Sequence, residues 1–117
     1  MKHIFLDTTC FFKDPFLENS RNNRFLIQLS KDKIIKLYVS VVVIEELKRQ
    51  LFFHFSTLEK EILSINKKYT VTSYNHKPDY EKILNRMENF FADKSVFTVV
   101  KFLNSEMILN SILNRNL

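Results

Sequence analysis

Apolar positions along the chain alternate between short runs and helical spacings. Ile4, Phe5 and Leu6 form a run closed by Asp7 and two threonines, which predicts a buried strand whose C-terminal end presents Asp7. Residues 11–23 show no period. Pro15 blocks a continuing helix there, and the Asn/Ser/Arg cluster at 19–23 reads as a loop. Phe25, Leu26 and Leu29 suit one helical face that closes near residues 31–33. Residues 34–39 read as a second strand, with Ser40 as the N-cap of a second helix. Ile44, Leu47, Leu51, Phe55, Leu58, Ile62 and Ile65 then recur in steps of three and four. That spacing predicts a helix over 41–65, about 37 Å long at about 1.5 Å per residue. Its β-branched start, Val41 to Val43, suits a buried first turn.

Residues 66–77 are polar and connecting, with an extended piece expected at 69–74. Pro78 fits the first turn of a helix, with Asp79 and Glu81 at its positive end. Tyr80, Ile83, Leu84, Met87, Phe90 and Phe91 supply the apolar face of that helix. Residues 95–100 read as a third strand, and Ser105 as the cap of a last helix carrying Ile108, Leu109, Ile112 and Leu113. The order is strand, helix, strand, helix, helix, strand, helix, which indicates an α/β domain with a short parallel sheet covered by helices.

Composition narrows the function classes. A length of 117 residues gives one domain over residues 1–117. Gly is 0, which excludes the phosphate loop, the dinucleotide-binding turn, the nucleophile elbow and the EF-hand loop. Without Gly, asparagines are expected at left-handed backbone positions, with Asn66, Asn75 and Asn114 suitably placed. Trp is 0 and Lys far outnumbers Arg, the bias of an AT-rich genome. The net charge of +5 is spread evenly, and a diffuse positive field favours polyanions. Cys10 is the single cysteine, so an intramolecular disulfide and a four-Cys zinc site are impossible, and a reducing cytoplasm fits. Its neighbours Thr9, Phe11 and Phe12 suggest a buried, inert thiol. The longest apolar run, 41–44, is too short to cross a bilayer, and the first residues do not read as a signal peptide. His3, His54 and His76 have no metal-ligand spacing. The 12 Phe and 4 Tyr could stack on bases, but helix faces and strands claim most of them for the core.

Parallel sheets present ligands at the C-terminal ends of their strands. Asp7 falls there, and Glu45 and Glu46 lie in the first turns after the second strand. Carboxylates gathered at one sheet end suit a hard divalent cation, and such an ion can serve phosphodiester hydrolysis. The competing reading is local: a turn-forming Asp and a Glu pair that complements a helix dipole.

The stretch I4-F-L-D-T-T-C-F-F-K-D-P-F-L resembles the opening of a PIN-like domain, in which an apolar strand leads to D-T-[NST] and a further apolar run. L37-Y-V-S-V-V-V-I-E-E-L-K-R-Q is similar to the second strand and following helix of that family, with an acid just before a Leu. The closest likeness is to a bacterial PIN-like branch of uncharacterised proteins. The resemblance implies a three-layer α/β/α fold and a metal-dependent ribonuclease using Mg²⁺ or Mn²⁺. Asp7 takes the first acidic position and Glu46 the second, with Thr8 and Thr9 supporting Asp7. Glu45 is then the solvated partner of Arg49 at i+4. Lys13, Arg21, Arg24 and Arg49 are candidates for phosphate contacts with RNA. The family carries further acids downstream, so the domain is expected to lack its C-terminal part, and Glu106 is the remaining candidate ligand. An alternative comes from that expectation: a non-catalytic RNA- or protein-binding module, with a homodimer or a partner chain completing the sheet.

Overall fold

The computed structural model describes residues 1–69 and 77–101. Strand β1 (Lys2–Leu6) leads into a short 3-10 helix (Thr8–Phe11), helix α1 (Arg21–Lys31), strand β2 (Ile35–Ser40) and helix α2 (Val41–Tyr69). Helix α3 (Lys77–Ala92) and strand β3 (Phe97–Val100) complete the described elements. The sheet order is β1-β2-β3 and both pairings are parallel. Ile4 stands beside Leu37 and Leu37 beside Phe97, while Leu6 stands beside Val39. The mixed α/β architecture therefore has the element order read from the sequence, as far as β3. The last expected helix, Asn75, His76, Glu106 and Asn114 lie outside the described residues.

The period-two pattern puts Ile4, Leu6, Ile35, Leu37, Val39 and Phe97 on one face of the sheet. These residues join Phe11, Leu17, Ile44, Leu47, Met87, Phe91 and Val96 in one hydrophobic core. Leu26, Ile27 and Leu29 of α1 pack on its margin, as does Phe90 of α3. Phe91 meets Phe11 and Phe97 at ring separations of 5.4 Å each, which fixes α3 against the strands. The opposite face carries half-buried His3, Phe5 and Tyr38, with Lys36 beside them. There the Tyr38 ring stacks on Phe5 at 4.7 Å, and the Tyr38 hydroxyl is 2.8 Å from His3 Nδ1.

Helix α1 begins four residues before the expected periodic segment. Ser20 accepts a hydrogen bond from the Asn23 amide at 3.0 Å, so residues 21–23 of the expected loop are its first turn. Phe25 is exposed, and Ile27 takes the packing place expected for it. At the other end Lys33 N–H donates to the Ser30 carbonyl and Ile34 N–H to the Leu29 carbonyl, both at 3.0 Å. This pair of bonds is the Schellman termination, in which the residue after the C-cap is left-handed. Lys33 occupies that position with φ 61°. The other positive φ among the described residues is Leu17, at 49°. Asn66, expected to be left-handed, is helical within α2. The left-handed sites are set by how helices and turns end, and not by where asparagines fall.

Strand β2 passes into α2 without a loop. The Ser40 hydroxyl accepts from the Val42 amide at 2.9 Å and so caps the helix as expected. Helix α2 has 29 residues, four more than the periodicity predicts, and is about 43 Å long. The apolar face has the predicted phase, but its burial fades along the helix. Ile44 and Leu47 are buried and Leu51 and Phe55 half-buried, whereas Ile65 is 50% exposed. The strands have six residues at most, so the distal half of α2 runs past the sheet. Its described ring partner there is Tyr80, which Phe52 and Phe55 meet edge-on. Lys48 ties the proximal half to α3 through Glu88 at 3.4 Å.

Candidate functional site

The parallel register brings Asp7 level with Ser40, at the junction of β2 and α2. Asp7 ends β1 in an extended conformation and caps the 3-10 helix. Its Oδ1 accepts from the Thr9 hydroxyl at 2.5 Å, the Thr9 amide at 3.1 Å and the Cys10 thiol at 3.5 Å. The Thr9 hydroxyl is the main reason the carboxyl is held below its usual range, against the opposing effect of desolvation. Asp7 is exposed and ionised at neutral pH. Among the described residues every hydrogen bond to its side chain falls on Oδ1, which leaves the lone pairs of Oδ2 for an outside ligand. Thr8 is half-buried in the same turn.

Glu46 is exposed on the second turn of α2, the helix against which the Asp7 turn packs. Glu45, expected to pair with Arg49, instead lies 3.8 Å from Lys48 at i+3. Lys48 also serves Glu88 on α3, so interhelical packing sets its position. Asp7 and Glu46 offer carboxylate oxygens, the donor type that Mg²⁺ takes one or two at a time while keeping several waters. Among the described residues no group of three or more His, Cys, Asp and Glu side chains could hold a metal ion. Glu106 lies outside them.

Cys10 corrects an expectation. It is exposed, because the 3-10 helix buries Phe11 and turns the thiol outward. Partial desolvation, together with the neighbouring Asp7 carboxylate, pushes the thiol up from its ordinary value. The group is therefore protonated at neutral pH, held so first by partial desolvation and then by the Asp7 carboxylate.

The most constrained acid of the region is one that sequence reasoning passed over. Asp14 is 4% exposed and sits at the centre of the segment joining the 3-10 helix to α1. Its Oδ1 accepts from the Glu18 amide at 3.0 Å. Its Oδ2 accepts from the amides of Asn19 at 2.9 Å and Ser20 at 3.2 Å, and from the Asn23 side chain at 3.0 Å. Burial alone would push the carboxyl up, but these four N–H donors outweigh it and hold it at about 2. The left-handed turn at Leu17 bends the chain so that three successive amides reach one carboxylate. The sequence signal was an Asp before Pro followed by an Asn/Ser cluster, the composition of an Asp-centred turn.

Asp14 fixes the platform that carries the candidate RNA contacts. Lys13 precedes it and Arg21 opens α1, both exposed. Arg24 Nη1 donates to the Glu18 carbonyl at 3.2 Å and the Asn19 carbonyl at 3.4 Å, so part of its guanidinium staples the segment. Arg49 is exposed on α2. Arg86 of α3 clamps the same segment, 2.7 Å from both Glu18 carboxylate oxygens and stacked 3.8 Å above the Phe16 ring. No protein-family model matches the chain, and no solved structure matches it. Among the described residues no helix is long and apolar enough to cross a membrane.

Proposed function

We propose that the chain is a PIN-like, metal-dependent ribonuclease of the cytoplasm. In that reading the α/β core is part of a three-layer α/β/α domain, with a helical layer over the Tyr38 face. The observation that carries the reading is Asp7. It is an exposed carboxylate at the C-terminal end of β1, clamped through one oxygen and open at the other, beside the β2–α2 junction. Asp7 and Glu46 would hold Mg²⁺ or Mn²⁺, which would supply a polarised water and charge neutralisation at the phosphodiester. Thr9 keeps Asp7 ionised and fixed. Lys13, Arg21 and Arg49 offer exposed charges for phosphate contacts that carry no sequence information. The test is RNA cleavage with Mg²⁺ or Mn²⁺ on the wild type and on Asp7→Asn. Cleavage should vanish in EDTA and fall about a hundredfold in the variant, the scale of lost charge stabilisation. Cleavage that survives both treatments overturns the reading.

A second reading is a non-catalytic RNA-binding module on the same fold. It is favoured by the observation that, among the described residues, no three His, Cys, Asp or Glu side chains group together to hold a metal ion. Salt-dependent RNA binding without cleavage under any divalent metal is its signature.

A further inference from the structure

The amino-terminal ends of the strands form a second charged centre. A cavity of about 260 Å³ opens where β2 and β3 begin, with Ile35 and Val96 in its wall. Four lysines line it: Lys31 and Lys33 from the end of α1, Lys36 from β2, and Lys94 from the turn before β3. The cations come from three separate elements, so the tertiary fold gathers them, and not the repeat of a single helix surface. Lys36 leans over the Tyr38 ring at 5.3 Å. The Asp93 carboxyl is lowered chiefly by the Ser95 hydroxyl, then by the Ser95 amide, with Lys31 adding the smallest contribution. The neighbouring acids are turned to local partners, Asp93 to Ser95 at 2.6 Å and Asp32 to the Gln28 amide at 3.0 Å. Among the described residues neither Lys33 nor Lys94 forms an ion pair. Lys33 also stands at a left-handed backbone position, which glycine takes without the strain of a Cβ.

Like charges on one concave rim repel each other, and a bound anion relieves the repulsion. Ammonium groups act as point charges, and several of them suit a phosphate dianion better than a single carboxylate. A cavity of this size is below the usual range for drug-sized ligands, so the anion is small. We propose that this cavity binds a phosphate or phosphomonoester dianion, held by Lys33 and Lys94 with Lys31 and Lys36 adding to the field. The site is independent of the ribonuclease reading. It lies at the other end of the sheet from Asp7, separated by about 17 Å of strand.

Titration of the full chain with inorganic phosphate, AMP and adenosine, followed by backbone amide shifts at physiological salt, tests the site. Phosphate and AMP should shift the Lys33, Lys94 and Ser95 amides saturably, and adenosine should not. Tighter binding of AMP than of phosphate identifies a phosphomonoester as the ligand, and equal binding identifies the free ion. Lys33→Gly and Lys94→Gln should each weaken binding about tenfold, the loss expected for one charge-assisted contact. Lys33→Gly relaxes the backbone, so its loss of binding cannot be put down to misfolding. The proposal is overturned if neither anion saturates, if adenosine binds as well as AMP, or if binding survives both substitutions.

Discussion

Lys33→Gly should make the protein more stable. Lys33 stands just past the C-cap of α1 with φ 61°, and its amide and that of Ile34 close the helix on Ser30 and Leu29. A Cβ at this φ costs about 1–2 kcal/mol, which glycine escapes. Glycine loses more backbone entropy on folding, about 0.5–1 kcal/mol, so the net gain is about 0.5–1 kcal/mol. With a urea slope of about 1–3 kcal/mol per molar, the midpoint should rise by about 0.4 M with the slope unchanged. Urea titration monitored by far-UV circular dichroism measures this. Lys33→Ala is the control, because it removes the same charge from the lysine cluster but keeps the Cβ. The backbone argument predicts a gain for Gly over Ala. If Ala stabilises as much as Gly, relief of charge repulsion is the cause. If Gly does not stabilise at all, the termination of α1 is not strained.

Asp14→Asn should destabilise the fold by about 2 kcal/mol at pH 7, the linkage value of a carboxyl lowered from 3.8 to about 2. The folded pKa lies below the unfolded one, so this stability is present above about pH 4 and is lost as the pH falls towards about 2. Thermal melts of both proteins across that range should converge at the acid end, and a constant gap would refute the assignment. Cys10 should react with a disulfide reagent more slowly than a free cysteine at about pH 8, and Asp7→Asn should speed it by removing the charge beside the thiol. Equal rates in the two proteins would mean that Asp7 does not hold the thiol. Ser40→Ala should cost about 1 kcal/mol in chemical denaturation through loss of the α2 cap, and a neutral result would leave the Val42 amide with another partner.

The parts of the fold legible in the sequence are those governed by local periodicity. The phase of α2, the Ser40 cap and the position of Asp7 after β1 all come from a few neighbouring residues. Burial was less legible, because the period of α2 says which face is apolar but not where the sheet beneath it ends. Phe12, Phe25, Phe52 and Phe53 are exposed although core places were expected for most aromatic rings. The helical start of residues 21–23 was hidden by residue types that favour loops and caps equally. Within the candidate site, Asp7 with its Thr9 partner was readable from three adjacent residues. For Asp14 only a turn was readable, from the following Pro and the Asn/Ser cluster, since the closure of three amides on its carboxylate depends on a left-handed leucine that no propensity anticipates. The contacts that lock the elements together span most of the chain, as with Ser30 to the Val96 carbonyl and Arg86 to Glu18.

The wholly parallel sheet also sets the order in which the chain can assemble. Among the described residues it contains no hairpin, so no strand pairing is available to a short stretch of chain. Ile4 and Leu37 are 33 residues apart and Leu37 and Phe97 are 60 apart. Closing the longer loop costs only about 0.5 kcal/mol more than closing the shorter, because the entropy grows with the logarithm of length. Each closure, however, must precede the reward from the strand pair it brings together. The helices have no such delay, since their contacts are local. A chain emerging during synthesis could pair β1 with β2 but would leave the far edge of β2 bare until β3 had been made, and in that interval the edge is open to pairing with other chains.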